Sequence, residues 1–261
     1  MPTSHHTIQS YNQNAERWAG LQKSNRRLAH NYIEKPAMFQ LLPESLEGQK
    51  ILCVGSGSGE ECFTLQQKGA EVIGLDAAQE LVKIAKRQFY GIEFIVGDQE
   101  ALPFEAESFD IVFSSLTIHY SDDWSKVLAE CYRVLKPGGI LVFSTHHPIK
   151  WGAEIIRNNN NEEIKMGYAK EPIKREGENG KCTISGDYLT PRTIETKLLG
   201  TIEISFFHQS ISDIIKTIQT SSFDTFEFGE PLPIIEAKKD APDIWNIHSR
   251  IPLFMVFKLT K

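Results

Sequence analysis

From about residue 50 the chain alternates short apolar runs with amphipathic stretches, after a polar opening. Residues 1–30 carry few apolar anchors (Ile8, Tyr11, Trp18 and Leu21) and read as a partly helical arm. Residues 31–42 have a helical pattern that Pro36 interrupts or restarts, because proline removes an N–H and crowds the preceding turn. Residues 50–54 are an apolar run that enters a glycine turn, which predicts the first strand. Residues 60–68 predict a helix and 71–75 a second strand; 78–87 predict a helix with Leu81, Ile84 and Ala85 at helical spacing. Residues 93–96 and 111–114 predict the third and fourth strands. A helix over 122–134 stops at the turn Lys136-Pro137-Gly138-Gly139, and 140–144 predict the fifth strand. Strands alternating with helices at this spacing imply βαβ units in a parallel sheet, and right-handed crossovers make that sheet open and doubly wound.

After Pro148 the rhythm breaks. Residues 152–182 hold a run of four asparagines, Asn158 to Asn161, among Lys, Glu and Gly clusters. Residues 183–207 read as β-rich and antiparallel, 210–220 as a helix, 225–228 as a strand and 252–259 as an apolar closing strand. The expected organisation is an arm over 1–47, a core over 48–149, an insertion over 150–207, and completion of the core sheet over 208–261. The insertion carries Trp151, Tyr168, Tyr188, Phe206 and Phe207, which suit either a lid over an apolar or aromatic small molecule or ordinary packing.

The bulk numbers narrow the class. With 261 residues, 41% hydrophobic and 24% charged, the chain is long enough for one large α/β domain with a proper core. A net charge of −6 argues against nucleic acid or an anionic membrane surface as partner. Cys53, Cys62, Cys131 and Cys182 are widely spaced, with no CxxC pair, so reduced thiols and a cytoplasmic setting are expected. The first 18 residues show no apolar signal region, and no apolar run is long enough to span a membrane. A monomer or homodimer is expected.

The chemistry gathers at Val54-Gly55-Ser56-Gly57-Ser58-Gly59-Glu60, followed by Gly74-Leu75-Asp76 at the next strand end. Gly55 and Gly57 reach backbone angles closed to other residues, and without a Cβ they let a ligand lie against the main chain. The following helix points N–H groups toward such a ligand. Asp76, at the tip of the second strand, can accept hydrogen bonds from two ribose hydroxyls. Taken alone, this pattern suits a nicotinamide site, another nucleoside-bearing ligand, or a mere tight turn.

Four segments in order over about residues 33–146 resemble class I S-adenosylmethionine-dependent methyltransferases, in the ubiquinone-biosynthesis-like branch. VGSGSGE is similar to that family's glycine motif. GLDAAQELVKIAK is similar to its ribose-binding segment, and VGDQEALPFEAESFDIVFSS to the next pair of signatures. RVLKPGGILVFS is similar to the motif around the fifth strand. The resemblance implies a Rossmann-like, doubly wound seven-stranded α/β sheet with an antiparallel final strand and a β-rich insertion after strand 5. It implies S-adenosyl-L-methionine bound by Gly55, Ser56, Gly57, Gly59, Asp76, Ala77, Asp98, Gln99, Ser114 and Ser115. An aromatic ring of the arm, Tyr11 or Trp18, is expected to touch it. Cys53 stands where relatives often carry the acid that approaches the methionine amino group, so Glu60 or Glu61 must compensate or affinity must fall. No Asn-Pro-Pro-Tyr-like segment follows the fourth strand, where the chain reads SSLTIHY, which disfavours amide or nucleobase nitrogen as acceptor.

The sulfonium supplies an activated methyl group, so the protein must chiefly hold a nucleophile in line with it. His119, His146 and His208 are candidate bases, since imidazole titrates near neutrality; His147 adjoins them. No third ligand is spaced to make a metal site with His146 and His147. The expected activity is methyl transfer to a small-molecule acceptor. The alternatives are a non-catalytic cofactor-binding or regulatory protein of the same fold and a nicotinamide-dependent reductase.

Overall fold

The computed structural model describes residues 5–24, 27–149, 155–157, 163–165, 188–198 and 202–261. Its centre is a seven-stranded sheet. Strands β1 (Lys50–Val54), β2 (Glu71–Asp76), β3 (Glu93–Val96), β4 (Phe109–Ser114) and β5 (Leu135–His146) run parallel to one another. β1 and β4 are almost wholly buried, as their unbroken apolar runs require of strands covered on both faces. With β10 (Thr225–Gly229) and β11 (Phe254–Thr260), the order is β10-β11-β5-β4-β1-β2-β3. The closing strand β11 lies antiparallel between β5 and β10, and Phe257 stacks on Phe143 with ring centres 4.7 Å apart. The strand order reverses between β1 and β4, and a crevice opens at the carboxyl ends of strands at such a reversal.

Helices cover both faces. α4 (Glu60–Gln66) and α5 (Gln79–Gln88) pack with α3 (Lys35–Gln40) on one face; Met38, Leu65, Val82 and Phe94 are among the buried side chains there. α6 (Trp124–Val134) and α7 (Ile211–Gln219) cover the other face, around Trp124, Leu128, Phe143 and Ile214. Asp123 caps α6 by accepting the Lys126 N–H at 3.1 Å, and Ser210 and Asp213 form a reciprocal capping box on α7. The short helices α8 (Ala237–Asp240) and α9 (Pro242–His248), which the residue pattern does not announce, connect β10 to β11.

Two departures from the sequence pattern are informative. The Lys136-Pro137-Gly138-Gly139 segment lies inside β5 rather than before it: the strand leaves α6 directly and absorbs the segment as a register shift against β4. Residues 31–42 break next to Pro36, as their pattern allows, but the first piece is not α-helical. A π turn, His30–Glu34, runs into α3, with the Lys35 N–H reaching back to the His30 carbonyl. Pro36 has no N–H for the Tyr32 carbonyl, and the Ile234 N–H takes that carbonyl instead at 2.8 Å.

The arm forms α1 (His5–Gln13) and α2 (Ala15–Lys23). Beyond β5 come two antiparallel pairs, β6 (Ile155–Arg157) with β7 (Glu163–Lys165) and β8 (Arg192–Leu198) with β9 (Ile202–His208). The Ser205 N–H donates to the buried Thr7 Oγ1 at 2.9 Å and ties the arm to β9. Trp18, Leu81, Ile84, Ile204 and Phe206 fill the space among α2, α5 and β9. Arm and hairpin together roof the carboxyl edge of the sheet. Trp151, Tyr168 and Cys182 lie outside the described residues.

Candidate functional site

Under this roof a cavity opens at the carboxyl ends of β1, β2 and β4, with about 1140 Å³ of empty space between its walls, mouth included. Its floor is the turn after β1. Gly55, Gly57 and Gly59 all have positive φ (74°, 55° and 96°), which explains three glycines in five residues. Their surroundings differ. A Cβ on Gly55 would fall 2.0 Å from Thr117 Oγ1, and one on Gly59 would meet Phe94 and Phe89, so both glycines serve packing. A Cβ on Gly57 would meet only Trp18 Nε1 at 3.5 Å, across the cavity. Ser56 Oγ is buried without a hydrogen-bond partner among the described residues.

Asp76 lines the wall beside this floor. Its Oδ2 accepts the Gly57 N–H and its Oδ1 the Ala78 N–H, both at 2.8 Å. Burial raises its pKa above the ordinary value, and these two bonds offset part of the rise. Each oxygen keeps a further lone pair for a ligand. Ala77, Gly97 and Gln99 continue the wall, with Gln99 Nε2 donating to the Thr117 carbonyl at 3.5 Å. From the arm, Tyr11 and Trp18 reach the cavity and pack edge to face with ring centres 5.4 Å apart. Tyr11 shares a 2.6 Å hydrogen bond with Tyr120, and burial holds the Tyr120 hydroxyl up at about 12.

Of the residues expected to hold the ligand, Tyr11, Trp18, Gly55, Ser56, Gly57, Asp76, Ala77, Gln99 and Ser115 line the cavity. Gly59, Asp98 and Ser114 stand behind the wall. Asp98 Oδ1 accepts the Glu100 N–H at 3.0 Å and so shapes the turn after β3, while Ser114 is buried in β4. Of the three candidate bases, His146 alone lines the cavity. His119 is buried behind it, ring centres 5.0 Å apart, with Nδ1 3.3 Å from Thr145 Oγ1. His208 Nε2 is tied to the Tyr188 carbonyl at 3.0 Å. His119, His146 and His208 share a second, smaller hollow with Trp124, Phe206 and Phe207. His147 points elsewhere, to Glu230 at 2.7 Å, and burial lowers its pKa against the pull of that carboxylate.

The residue pattern missed a polar chain behind the glycine floor. Glu34, fully buried in the π turn, accepts from Ser115 Oγ at 2.9 Å and from Ser144 Oγ, and Ser144 Oγ in turn accepts the Leu116 N–H at 2.9 Å. Leu116 sits at φ 51°, strained for a branched residue, at the cavity edge. On its other side Glu34 Oε2 lies 2.7 Å from His30 Nδ1, out of line for a hydrogen bond but close as an ion pair. His30 Nε2 donates to Glu61 Oε1 at 2.9 Å, and Glu61 lines the cavity. Burial opposes the charged form of His30, but Glu34 and Glu61 overcome both burial and Arg27, and its pKa rises. Burial likewise opposes Glu61 ionisation. The hydrogen bond and charge of His30, helped by Lys35 and Arg27, bring its pKa down to about 2. Arg27 and Thr117 also line the cavity. Besides Glu61, the only trace of this chain in the sequence is the i, i+4 spacing of His30 and Glu34.

Residues 52–143 match a family model described as a methyltransferase domain. The chain is 35% identical over 126 residues to malonyl-[acyl-carrier protein] O-methyltransferase of Hamiltonella defensa, covering 46% of this chain and 49% of that protein. It is 39% identical over 105 residues to demethylmenaquinone methyltransferase of Renibacterium salmoninarum, covering 40% and 44%. The chain thus spans less than half the length of these curated relatives. A solved structure described as an S-adenosylmethionine-dependent methyltransferase from Mesorhizobium loti superposes with a TM-score of 0.69 at 25% identity, over 87% of this chain and 97% of that one.

Over residues 52–143, then, the chain is similar to a methyltransferase domain.

The cavity offers groups that would fit S-adenosylmethionine. The Gly57 cradle, which a Cβ would fill, the buried Ser56 hydroxyl without a partner among the described residues, and the open lone pairs of Asp76 face one space. Cys53, at the inner end of that space, packs on Cys62, whose thiol burial holds well above its ordinary pKa. Glu60 is turned away: its Oε2 accepts from Ser58 Oγ at 2.7 Å, and it does not line the cavity. Among the described residues no helix is long and apolar enough to cross a membrane.

Proposed function

We propose that the protein transfers the methyl group of S-adenosylmethionine to a small-molecule acceptor. The observation that carries this reading is the cavity itself: the Gly57 cradle, Ser56 Oγ and Asp76 face one space at the carboxyl edge of the sheet, roofed by Tyr11 and Trp18. Asp76 would hold the ribose, Gly97 and Gln99 would border the adenine, and the β1 end would take the methionine portion. The bound sulfonium supplies an activated methyl group. The remaining work of the chain is positioning and, where the acceptor carries a proton, removing it.

The acceptor would enter beside His146, which lines the main cavity and also borders the smaller hollow with Phe206 and Phe207. His146 is the proposed base, with His119 packed behind it. His208 would act through the hollow's shape rather than at the reacting atoms. The names of the relatives, which include a malonyl-carrier and a demethylmenaquinone methyltransferase, support an organic acceptor of this general kind.

Calorimetry with S-adenosylmethionine and S-adenosylhomocysteine, followed by transfer of labelled methyl from S-adenosylmethionine into a metabolite pool, tests the reading. Binding of both ligands and a labelled product are expected. Binding without transfer to any acceptor would favour a regulatory protein, and binding of NAD(P)H in place of the sulfonium would remove the reading.

A further inference from the structure

The methionine portion of S-adenosylmethionine ends in an α-ammonium group. Enclosed in a roofed cavity, that charge needs an anionic partner, because a buried unpaired charge costs several kcal/mol. Only two carboxylates, Asp76 and Glu61, line the cavity among the described residues. Both Asp76 oxygens already accept backbone N–H groups, and Asp76 lies with Ala77, Gly97 and Gln99 at the ends of β2 and β3. Glu61 also lines the space, and His30 and Glu34 link it to Ser115, another lining residue. Its Oε1 is bound by His30, and its Oε2 has no hydrogen-bond partner among the described residues. Glu34 and Glu61 flank the single His30 imidazole, two carboxyl groups to one ring. Arg27 and Lys35 are the other charged groups near Glu61. Arg27 is engaged by Gln22 at 2.7 Å and lies over Trp18, and Lys35 lies over Phe39.

We infer that Glu61, fixed by the buried His30–Glu34 pair, is the carboxylate that receives the ammonium group of the methyl donor, an anion delivered from α4 because the β1 end offers only Cys53. The inference rests on the proposed methyl-donor site.

The test compares two ligands on the full chain by calorimetry: S-adenosylhomocysteine, which carries the ammonium without a sulfonium charge, and 5′-methylthioadenosine, which lacks the amino-acid end. Glu61→Gln is expected to weaken S-adenosylhomocysteine by about tenfold to a hundredfold, the loss of one charge-assisted hydrogen bond. It should leave 5′-methylthioadenosine within about twofold, inside the scatter of an uninvolved site. Asp76→Ala should weaken both ligands alike. If Glu61→Gln leaves S-adenosylhomocysteine unchanged, or weakens both ligands equally, the assignment is wrong. Should Glu61→Gln fail to fold, Glu61→Asp keeps the charge beside His30 while withdrawing it from the cavity by one methylene, and the same selective loss is required. A wild-type chain that binds neither ligand overturns the methyl-donor site itself. One that binds both while Glu61→Gln changes nothing overturns only the role of Glu61.

Discussion

Single atoms separate the glycines of the floor. At Gly55 a Cβ would lie 2.0, 2.4 and 2.6 Å from three atoms of the Thr117 side chain, and Thr117 cannot swing aside cheaply because its Oγ1 donates to the Ser115 carbonyl at 3.0 Å. Gly55→Ala is therefore expected to lose about 2–4 kcal/mol of stability, overpacking plus a left-handed alanine. Thermal unfolding reads this directly. At Gly57 the same methyl makes only an ordinary contact with Trp18 Nε1, at 3.5 Å, and the positive φ alone resists it, at about 1 kcal/mol. Gly57→Ala should fold with a small loss in stability yet bind S-adenosylhomocysteine at least about tenfold more weakly, a loss of 1.4 kcal/mol. Equal stability losses in the two variants would contradict the distinction between a packing glycine and a ligand glycine. Asp76→Ala should also lower affinity at least about tenfold. His146→Ala should leave S-adenosylhomocysteine affinity intact while reducing methyl transfer by about a hundredfold or more, the usual share of a positioned base.

At the scale of elements, the strands and helices from β1 to α6 were legible because each carries its own period and its own stop signal. α5 shows this plainly: Leu81, Val82, Ile84 and Ala85 are buried on one face, and Lys86 and Arg87 close the last turn. The π turn was not legible. Its cause is Pro36, and its compensation, the Ile234 N–H, lies about two hundred residues away, beyond the reach of any local pattern. Glu61 was legible as one of two acids that could make up for Cys53, but His30 and Glu34 were hidden for the same reason as the π turn, since their partners come from the residue after β4, from β5 and from α4. The roof was half legible. The aromatics of the arm announced a contact, but the hydrogen bond from Ser205 to Thr7 did not. Thr7→Val strands that buried N–H and should cost about 1–3 kcal/mol. Faster hydrogen exchange over 5–13 and 202–208, with weaker S-adenosylhomocysteine binding, is the expected readout. Ser210→Ala, which removes the cap of α7 on the far face, should cost about 1 kcal/mol without changing affinity.

For the whole molecule, the buried pair couples stability to pH in a way that Glu61→Gln isolates. The Glu61 pKa falls from an ordinary 4.5 to about 2, so its contribution is fully present above pH 4.5 and is lost as pH drops toward 2. The His30 pKa is raised above 6.5, so its contribution is fully present below pH 6.5 and is lost as pH climbs through the raised value. The groups that set these values are Glu34, Glu61 and Arg27 around His30, and His30, Lys35 and Arg27 around Glu61. Both members are charged together between about pH 4.5 and 6.5, and there the gap in unfolding free energy between wild type and Glu61→Gln should be widest, about 3–5 kcal/mol for a broken buried pair. His147 works the other way. Burial lowers its pKa below 6.5, so the unfolded chain binds its proton first, and stability declines as pH falls below about 6.5. That decline is common to wild type and variant and cancels in their difference. Denaturant unfolding of both proteins from pH 4 to 9 should therefore give two curves that approach each other as the solution becomes alkaline. A gap that stays constant or widens with rising pH would mean that His30 is neutral in the folded chain, and that Glu61 is held by packing rather than by charge.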